Sequence, residues 1–479
     1  MLLKNLIDNC PSDCEEIDVT SLAINAADVK KGSAFFALEG CKNDGSDFIE
    51  EAEKNGAVCV ISKKKDLICS IPCVTVADDR HALSQMSARF YSDPQNSLKI
   101  VGITGTNGKT TTSYMIKSIL ESAGFKTGII GTLGAFIGDE RAEVADMTTP
   151  DPPTLFRILS KMKESGVTHV VMEVSAHALA LKKTDGIVFD VAALTNMGRD
   201  HLDYFETEEK YKAAKELLFE KEKCKCAVLN ADDEFGRYLY KKHHSRSKTY
   251  GTDNPADAFA IDRRYSLGGI RFVMNLCDDI LDIACPIAGK FNVYNALCAA
   301  LSARMLGADN HSVAKGLKKI NQVDGRFNVI GGAKLKVVID FAHTEESLKN
   351  AITSLRECSD GKLVVVFGCG GNRDAGKRPK MGKTASENAD FCVVTSDNPR
   401  YENPDEIISD VVSGIKNDNY IAITDRKQAI RYAVECAGDD GVVLIAGKGG
   451  EKYQEICGVK YEYSDEDFVR SLIDEKVIE

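Results

Sequence analysis

The 479-residue chain is predicted to be an α/β protein of three domains, with a central phosphate-loop-type, doubly wound parallel sheet and a Rossmann-like α/β domain at the C-terminus. Three observations predict this. From residue 99 onward, β-branched runs alternate with helix-period segments, the pattern of βαβ units. A glycine-rich turn, Gly105-Thr106-Asn107-Gly108, joins one such run to a helix. The length also exceeds what one hydrophobic core organises, and usual domain sizes give about three.

Each element follows in order. Residues 1–95 hold short strands and helices, including apolar runs at 32–38 and 58–62, and form the first domain. The segment Tyr91-Ser92-Asp93-Pro94-Gln95-Asn96 is a turn-rich boundary. The second domain, 96–327, opens with a strand at 99–104 that enters the glycine turn, and Tyr114, Met115, Ile116, Ile119 and Leu120 then repeat at helical spacing. Strands at 127–132, 168–175, 188–195 and 225–229 alternate with helices at 154–165 and near 207–220. Gly289-Lys290-Phe291-Asn292 opens an Ala/Leu-rich helix over 293–307. The third domain, 328–479, has strands at 335–340, 363–368, 391–396 and 442–446 with helices between them. There is no internal repeat.

Composition narrows the function. Acidic residues outnumber basic ones 72 to 61, a net charge of −11, which argues against a dedicated nucleic-acid binder. No apolar run is long enough to cross a bilayer, and acids soon follow Met1-Leu2-Leu3, so no secretory leader and no membrane partner are expected. The sixteen cysteines are scattered, several within apolar runs (Cys59, Cys73, Cys392). Cys224-Lys225-Cys226 and Cys369 make no zinc spacing, so free thiols in a reducing cytoplasm are expected.

The glycine turn is a phosphate cradle. Gly105 and Gly108 let the backbone approach an anion, a helix N-terminus attracts it, and Lys109 adds charge. The Thr110 hydroxyl can ligate Mg²⁺, and Thr111 follows it. The plainer reading, a βα turn with a surface lysine, does not require all these parts in this order. The common G-x-x-x-x-G-K-[ST] spacing would need glycine at Ile103, so this loop is a shorter variant. Gly368-Cys369-Gly370-Gly371-Asn372-Arg373 approaches a dinucleotide fingerprint, but Arg373 occupies the third glycine position, which argues against NAD.

Polar residues collect at predicted strand ends downstream. Glu173 interrupts an apolar run, followed by Val174 and Ser175. Asn196 to Tyr204 contains Arg199, Asp200, His201 and Asp203, and Lys215 lies on the next helix. Taken singly these are an ordinary core carboxylate, a cap and a surface lysine. Together with the phosphate loop they suggest a Mg²⁺–ATP site, because Mg²⁺ favours carboxylate, phosphate and water oxygens.

In order along the chain, Gly105–Thr111, Glu173-Val174-Ser175, Asp200-His201-Leu202-Asp203, Ala214-Lys215, Asn292, Gly325-Arg326 and Asp340-Phe341-Ala342-His343-Thr344 resemble the signature series of the Mur ligases. The resemblance covers nearly the whole chain and is closest to the branch that adds the third peptide residue to UDP-N-acetylmuramoyl-L-alanyl-D-glutamate. It implies ATP-dependent amide formation in cytoplasmic peptidoglycan precursor synthesis, through an acyl phosphate, by a monomer. It further implies that Gly105, Thr106, Asn107, Gly108, Lys109, Thr110, Thr111, Asn292, Arg326 and Asp340 bind ATP. Thr110, Glu173, His201 and a carbamylated Lys215 would hold Mg²⁺, with Lys109, Glu173, His201 and Lys215 serving the chemistry. Thr148, Thr149, Ser175 and Lys183 would face the nucleotide sugar. Arg373, Asp397, Asn398, Pro399, Arg400, Gly447 and Glu451 would bind meso-2,6-diaminopimelate, whose extra carboxylate suits an Arg fork. The first domain would bind the UDP-sugar, the second ATP and the third the amino acid.

The chain departs from that pattern at several positions. Asn25-Ala26-Ala27 replaces the usual Asp-Ser-Arg, while Leu181 and Lys183 replace Gln and Arg. Phe205, Phe341, Glu345 and Gly450 also differ, the last two in place of Pro and His. These changes leave a relative acting on another acceptor or amine, such as L-lysine, as an alternative, alongside a non-catalytic ATP binder. The retained metal constellation argues against the binder.

Overall fold

The computed structural model describes residues 1–40, 43–144, 147–331 and 334–475. These form two compact units. The first comprises Met1–Gly102, Phe125–Asp190 and Leu217–Lys225, and the second comprises Ile103–Gly124, Val191–Glu216 and Cys226–Glu479.

In the first unit, strands Ser21–Ala23, Ser33–Phe36, Ala57–Ser62 and Cys73–Thr75 pair in that order, all parallel. Successive residues point to opposite faces of a strand, so Phe36 and Ile61 join Leu3, Leu6 and Leu83 in one core. Phe35 and Val60 join Ile49 and Ala52 in another. Both faces are covered, as parallel sheets require. A further ladder runs His169–Glu173, Thr127–Gly131, Gly134–Ile137 and Glu140–Glu143, its first pair parallel and the others antiparallel. Pro152 begins the helix Pro152–Glu164, where a missing N–H costs nothing.

In the second unit, residues 227–230 of strand Cys224–Asn230 pair in parallel with Ser247–Gly251, which pairs in parallel with Ala258–Ser266, and Gly269–Leu276 and Asp279–Cys285 extend them as an antiparallel meander. Helix Lys109–Ser122 packs on helices Asn292–Met305 and Asn310–Lys319. A six-stranded sheet follows in the spatial order Asn328–Gly331, Lys336–Asp340, Val442–Ala446, Leu363–Phe367, Phe391–Val394 and Tyr420–Ala422. Only its first strand is antiparallel. Alternate residues again feed two cores, Val365 and Leu444 with helix residues Leu348 and Met381 on one side, Val366 and Ile445 with Ile430 and Val469 on the other. The loops beyond the C-terminal ends of these parallel strands are where open α/β sheets build sites, and a hairpin of Tyr453–Ile456 and Val459–Glu462 stands beside them.

The expected parallel strands are present, several trimmed as at His169–Glu173, whereas Cys224–Asn230 extends past the expected 225–229 at both ends. The helix expected near 207–220 is Glu208–Glu216 followed by a 3₁₀ turn, Leu217–Phe219. The meander at 258–285 and the hairpin at 453–462 were not anticipated. Both leave much of their surface to solvent, so their sequences mix polar and charged residues among the apolar ones instead of forming long apolar runs. Among the described residues no helix is long and apolar enough to cross a membrane.

Candidate active site

The phosphate loop leaves strand Lys99–Thr104 and ends at Gly108, whose φ of 83° is left-handed backbone that favours glycine. A Cβ at Gly105 would collide with Thr195 Oγ1. The loop is clamped by the segment after strand Phe189–Leu194. Asn107 N donates to Asn196 Oδ1 at 2.9 Å, Asn196 Nδ2 donates to Asn107 O at 3.1 Å, and Thr195 Oγ1 donates to Asn107 O at 2.6 Å. Gly198 N donates to Thr106 Oγ1 at 2.9 Å. Lys109 Nζ curls over the loop it follows, donating to Gly105 O at 2.8 Å and Thr106 O at 2.9 Å. Thr110 and Thr111 are buried in the first turn of helix Lys109–Ser122.

Lys215 is buried against the same loop. Its Nζ donates to Gly105 O at 2.9 Å and lies 4.5 Å from the centre of the Tyr211 ring. Burial, and then the charge of Lys109, push its pKa well below the ordinary lysine value, with Asp200 opposing. His201 is also shifted down by burial, although Asp200 pulls the other way. Burial works against the Asp200 carboxylate, yet His201 and His343 hold its pKa below the usual range. Nε2 of His201 and of His343 lie 3.5 Å and 3.9 Å from Asp200 Oδ2.

A buried chain of amides supports the loop from behind. Asn292 Nδ2 donates to Ala288 O at 2.6 Å, Asn295 Nδ2 to Asn292 Oδ1 at 2.8 Å, and Thr112 Oγ1 to Asn295 Oδ1 at 3.2 Å. Arg326 lies 4.3 Å from the centre of the Phe341 ring, and Asp340 accepts from Phe327 N at 2.8 Å and Ala342 N at 2.9 Å. Thus Lys109, Lys215 and their clamp are brought together. Asn196 and Asn295 were missed as site residues, because asparagine near a strand end or inside a helix carries no sequence signal of its own.

The first unit gathers a second cluster. Glu173 is buried at the end of its strand, where Thr132 N and Thr132 Oγ1 each donate to its carboxylate at 3.0 Å. Thr132 Oγ1 is 3.1 Å from Thr148 Oγ1. Thr149 Oγ1 donates to Glu173 O at 3.0 Å and accepts from Ser175 N at 3.1 Å, and Ser175 Oγ caps helix Ala176–Ala180. Lys183, buried, pairs with Asp151 at 2.8 Å. Thr132 was not singled out from the sequence. Asn25 precedes a short 3₁₀ turn, Ala26–Asp28, and bonds Asp28 at 3.1 Å.

A third cluster forms beyond the six-stranded sheet. Asn398 Nδ2 donates to Glu451 Oε2 at 2.8 Å, and Lys448, fully buried, donates to both Asn398 Oδ1 and Glu451 Oε2 at 2.9 Å. A Cβ at Gly447 would press on Asp397 Oδ2 at 2.6 Å. Arg400, with φ 53°, donates to Gly371 O at 2.8 Å and Glu455 Oε2 at 3.1 Å. Arg373 is half exposed, with Nη1 3.8 Å from Asp203 Oδ2. Glu402 accepts from Asn372 N and from the buried Arg378, which fixes the turn that carries Arg373. The glycines of the dinucleotide near-match bring backbones together, since a Cβ at Gly371 would strike Pro399 O.

A glycine phosphate loop with a half-buried and a buried lysine, on an α/β scaffold with a separate side-chain cluster beyond a second parallel sheet, suits a nucleotide-dependent ligase. The chain matches the Mur ligase middle domain over residues 103–303, the Mur ligase glutamate ligase domain over 325–449 and the Mur ligase catalytic domain over 18–91. It belongs to the Mur ligase family. A UDP-N-acetylmuramoyl-L-alanyl-D-glutamate--2,6-diaminopimelate ligase of Bacillus licheniformis is 40% identical over 98% of each chain. A Clostridium acetobutylicum relative of the same name is 40% identical over 96% of this chain and 95% of its own. A solved structure of a ligase so named superposes with a TM-score of 0.70 at 32% identity, covering 99% of both chains.

Proposed function

We propose that this enzyme uses ATP to join meso-2,6-diaminopimelate to the D-glutamate of UDP-N-acetylmuramoyl-L-alanyl-D-glutamate, in cytoplasmic peptidoglycan precursor synthesis and as a monomer. One observation carries the reading. Asp397, Asn398, Arg400, Gly447 and Glu451, distant in sequence, meet in one cluster, in a chain whose full-length relatives are named for that amino acid.

The γ-phosphoryl of ATP passes to the D-glutamate side-chain carboxylate, the amine of diaminopimelate attacks the acyl phosphate, and amide and phosphate form. The protein's task is positioning and charge screening. The loop N–H groups and Lys109 cradle the phosphates, Asn292, Arg326 and Asp340 orient the nucleotide, and the first domain with Thr148, Thr149, Ser175 and Lys183 receives the UDP-linked acceptor. Arg373 and Arg400 receive carboxylates of the incoming amino acid, and Glu451 its ammonium.

Among the described residues no three His, Cys, Asp or Glu side chains converge as a ready-made metal cage. Mg²⁺ takes one or two protein oxygens and completes its shell with phosphate and water, and the buried Thr110 hydroxyl in the first turn after the phosphate loop is an oxygen of that kind. In the second unit Thr110, His201 and Lys215 are the residues that would hold it, in the first unit Glu173 is a separate candidate ligand, and bound Mg²⁺ would neutralise phosphate charge. Burial, and then the charge of Lys109, push the Lys215 pKa well down, toward the neutral amine that reacts with CO₂ to give a carbamate.

The test is ADP and phosphate release with and without each co-substrate, with the amide product verified by mass. Release that needs both the UDP-muramoyl dipeptide and diaminopimelate is expected. No release with any acceptor and amine would leave only nucleotide binding, and equal use of L-lysine would overturn the amino-acid assignment.

A further inference from the structure

The Tyr453–Ile456 strand is fastened to the Asp397–Arg400 turn along its backbone. Glu455 N donates to Asn398 Oδ1 at 2.9 Å, Arg400 N donates to Glu455 O at 3.0 Å, and Cys457 N donates to Arg400 O at 2.7 Å. Gln454 Nε2 donates to Asp397 O at 2.7 Å. This seating places the Glu455 carboxylate on the Arg400 guanidinium, Oε2 to Nε at 3.1 Å, with about a fifth of each side chain exposed, 22% and 21%. Arg400 spends Nη1 on Gly371 O and Nε on Glu455, and under the proposed function the remaining nitrogen, Nη2, takes the incoming carboxylate. Glu451 meanwhile has Oε2 occupied twice, by Lys448 and Asn398, and retains one oxygen for a ligand cation.

A cation and an anion side by side form a two-sign filter. A ligand that brings only a carboxylate meets Glu455, one that brings only an ammonium meets Arg400, and one that carries both at one carbon satisfies each. The distal end of meso-2,6-diaminopimelate carries both. Resting on the function proposed above, we propose that Glu455 determines amino-acid specificity, taking the distal ammonium together with Glu451 while Arg400 takes the neighbouring carboxylate.

The experiment compares wild type, Glu455→Gln and Glu455→Asp with diaminopimelate and with 2-aminopimelate, which keeps the reacting amine and the distal carboxylate but lacks the distal amine. For Glu455→Gln the KM for diaminopimelate rises about tenfold, the size of one charged hydrogen bond. At the same time the preference for diaminopimelate over 2-aminopimelate falls by a similar factor, and Glu455→Asp recovers part of both. KM values for ATP and the UDP-linked acceptor stay within about twofold, which reports an intact fold, because the backbone ties of Glu455 do not involve its carboxylate. An unchanged or lower KM for diaminopimelate, with its preference over 2-aminopimelate intact, overturns the assignment of Glu455 alone. A wild-type enzyme that forms no amide with diaminopimelate overturns the function and this assignment together.

Discussion

Lys215 shows what a reactive residue costs at the scale of one side chain. It is fully buried, its pKa is driven down first by desolvation and then by Lys109, and a carbonyl and an aromatic face are its described company. Such a lysine opposes folding. Between its folded-state pKa and the ordinary lysine value the unfolded chain holds a proton that the folded chain lacks, so stability from this group rises with pH across that window. Lys215→Met is therefore expected to be more stable than wild type at pH 7, by on the order of 1 kcal/mol or more, while abolishing ligation. Urea midpoints at pH 7 and pH 10 measure it, and the advantage should shrink at the higher pH. A destabilised variant at pH 7 would refute the argument. Lys109 could be read from sequence because it directly follows a glycine turn, whereas Lys215 alone reads as a surface lysine and stands out only through the phosphate loop and the family resemblance; the burial of Lys215 was not legible. Asn196, Asn295 and Thr132 could not be read, since their role exists only once the chain brings a loop or a carboxylate to them.

Among the elements, the two strands that carry the amino-acid cluster share one buried tie. Arg426, at the start of helix Arg426–Ala437, pairs with Asp465 at 2.8 Å, with exposures of 1% and 0%. It also donates to Ser396 O at 3.3 Å and Ala446 O at 3.1 Å, the carbonyls just before Asp397 and Gly447. Removing one partner strands the other charge, so Arg426→Met is expected to cost about 3–5 kcal/mol in chemical denaturation. The double variant Arg426→Met/Asp465→Leu should lose less than Arg426→Met alone; an equal or larger loss would count against this account. The strands it ties, Phe391–Val394 and Val442–Ala446, were legible because strands buried on both faces are uninterrupted apolar runs. The meander and the hairpin were not, because much of each meets solvent and charged residues break up the apolar signal. Glu455 was hidden with its hairpin.

On the scale of the whole molecule, Gly325 joins functions that the sequence keeps apart. It has φ 63°, and a Cβ there would collide with Gly450 N and the Gly449 carbonyl carbon. Gly449 in turn lies against Phe341, whose ring carries Arg326. Gly325→Ala is expected to raise KM for both ATP and the amino acid, each several-fold, in steady-state assays. An effect on one substrate only would show that the contact is passive packing. Gly450 leaves that seat with no side chain in the way.

The same abutment has a thermodynamic corollary. Under the proposed function, the close backbone approach of Gly325 to Gly449 and Gly450 predicts that nucleotide at 325–326 and amino acid at 447–451 share one equilibrium. The interaction must run equally in both directions. Calorimetry of one ligand in the presence of the other would then return a single coupling constant, whichever is titrated first, and its sign would tell whether the glycine seat draws the two together or sets them in sequence.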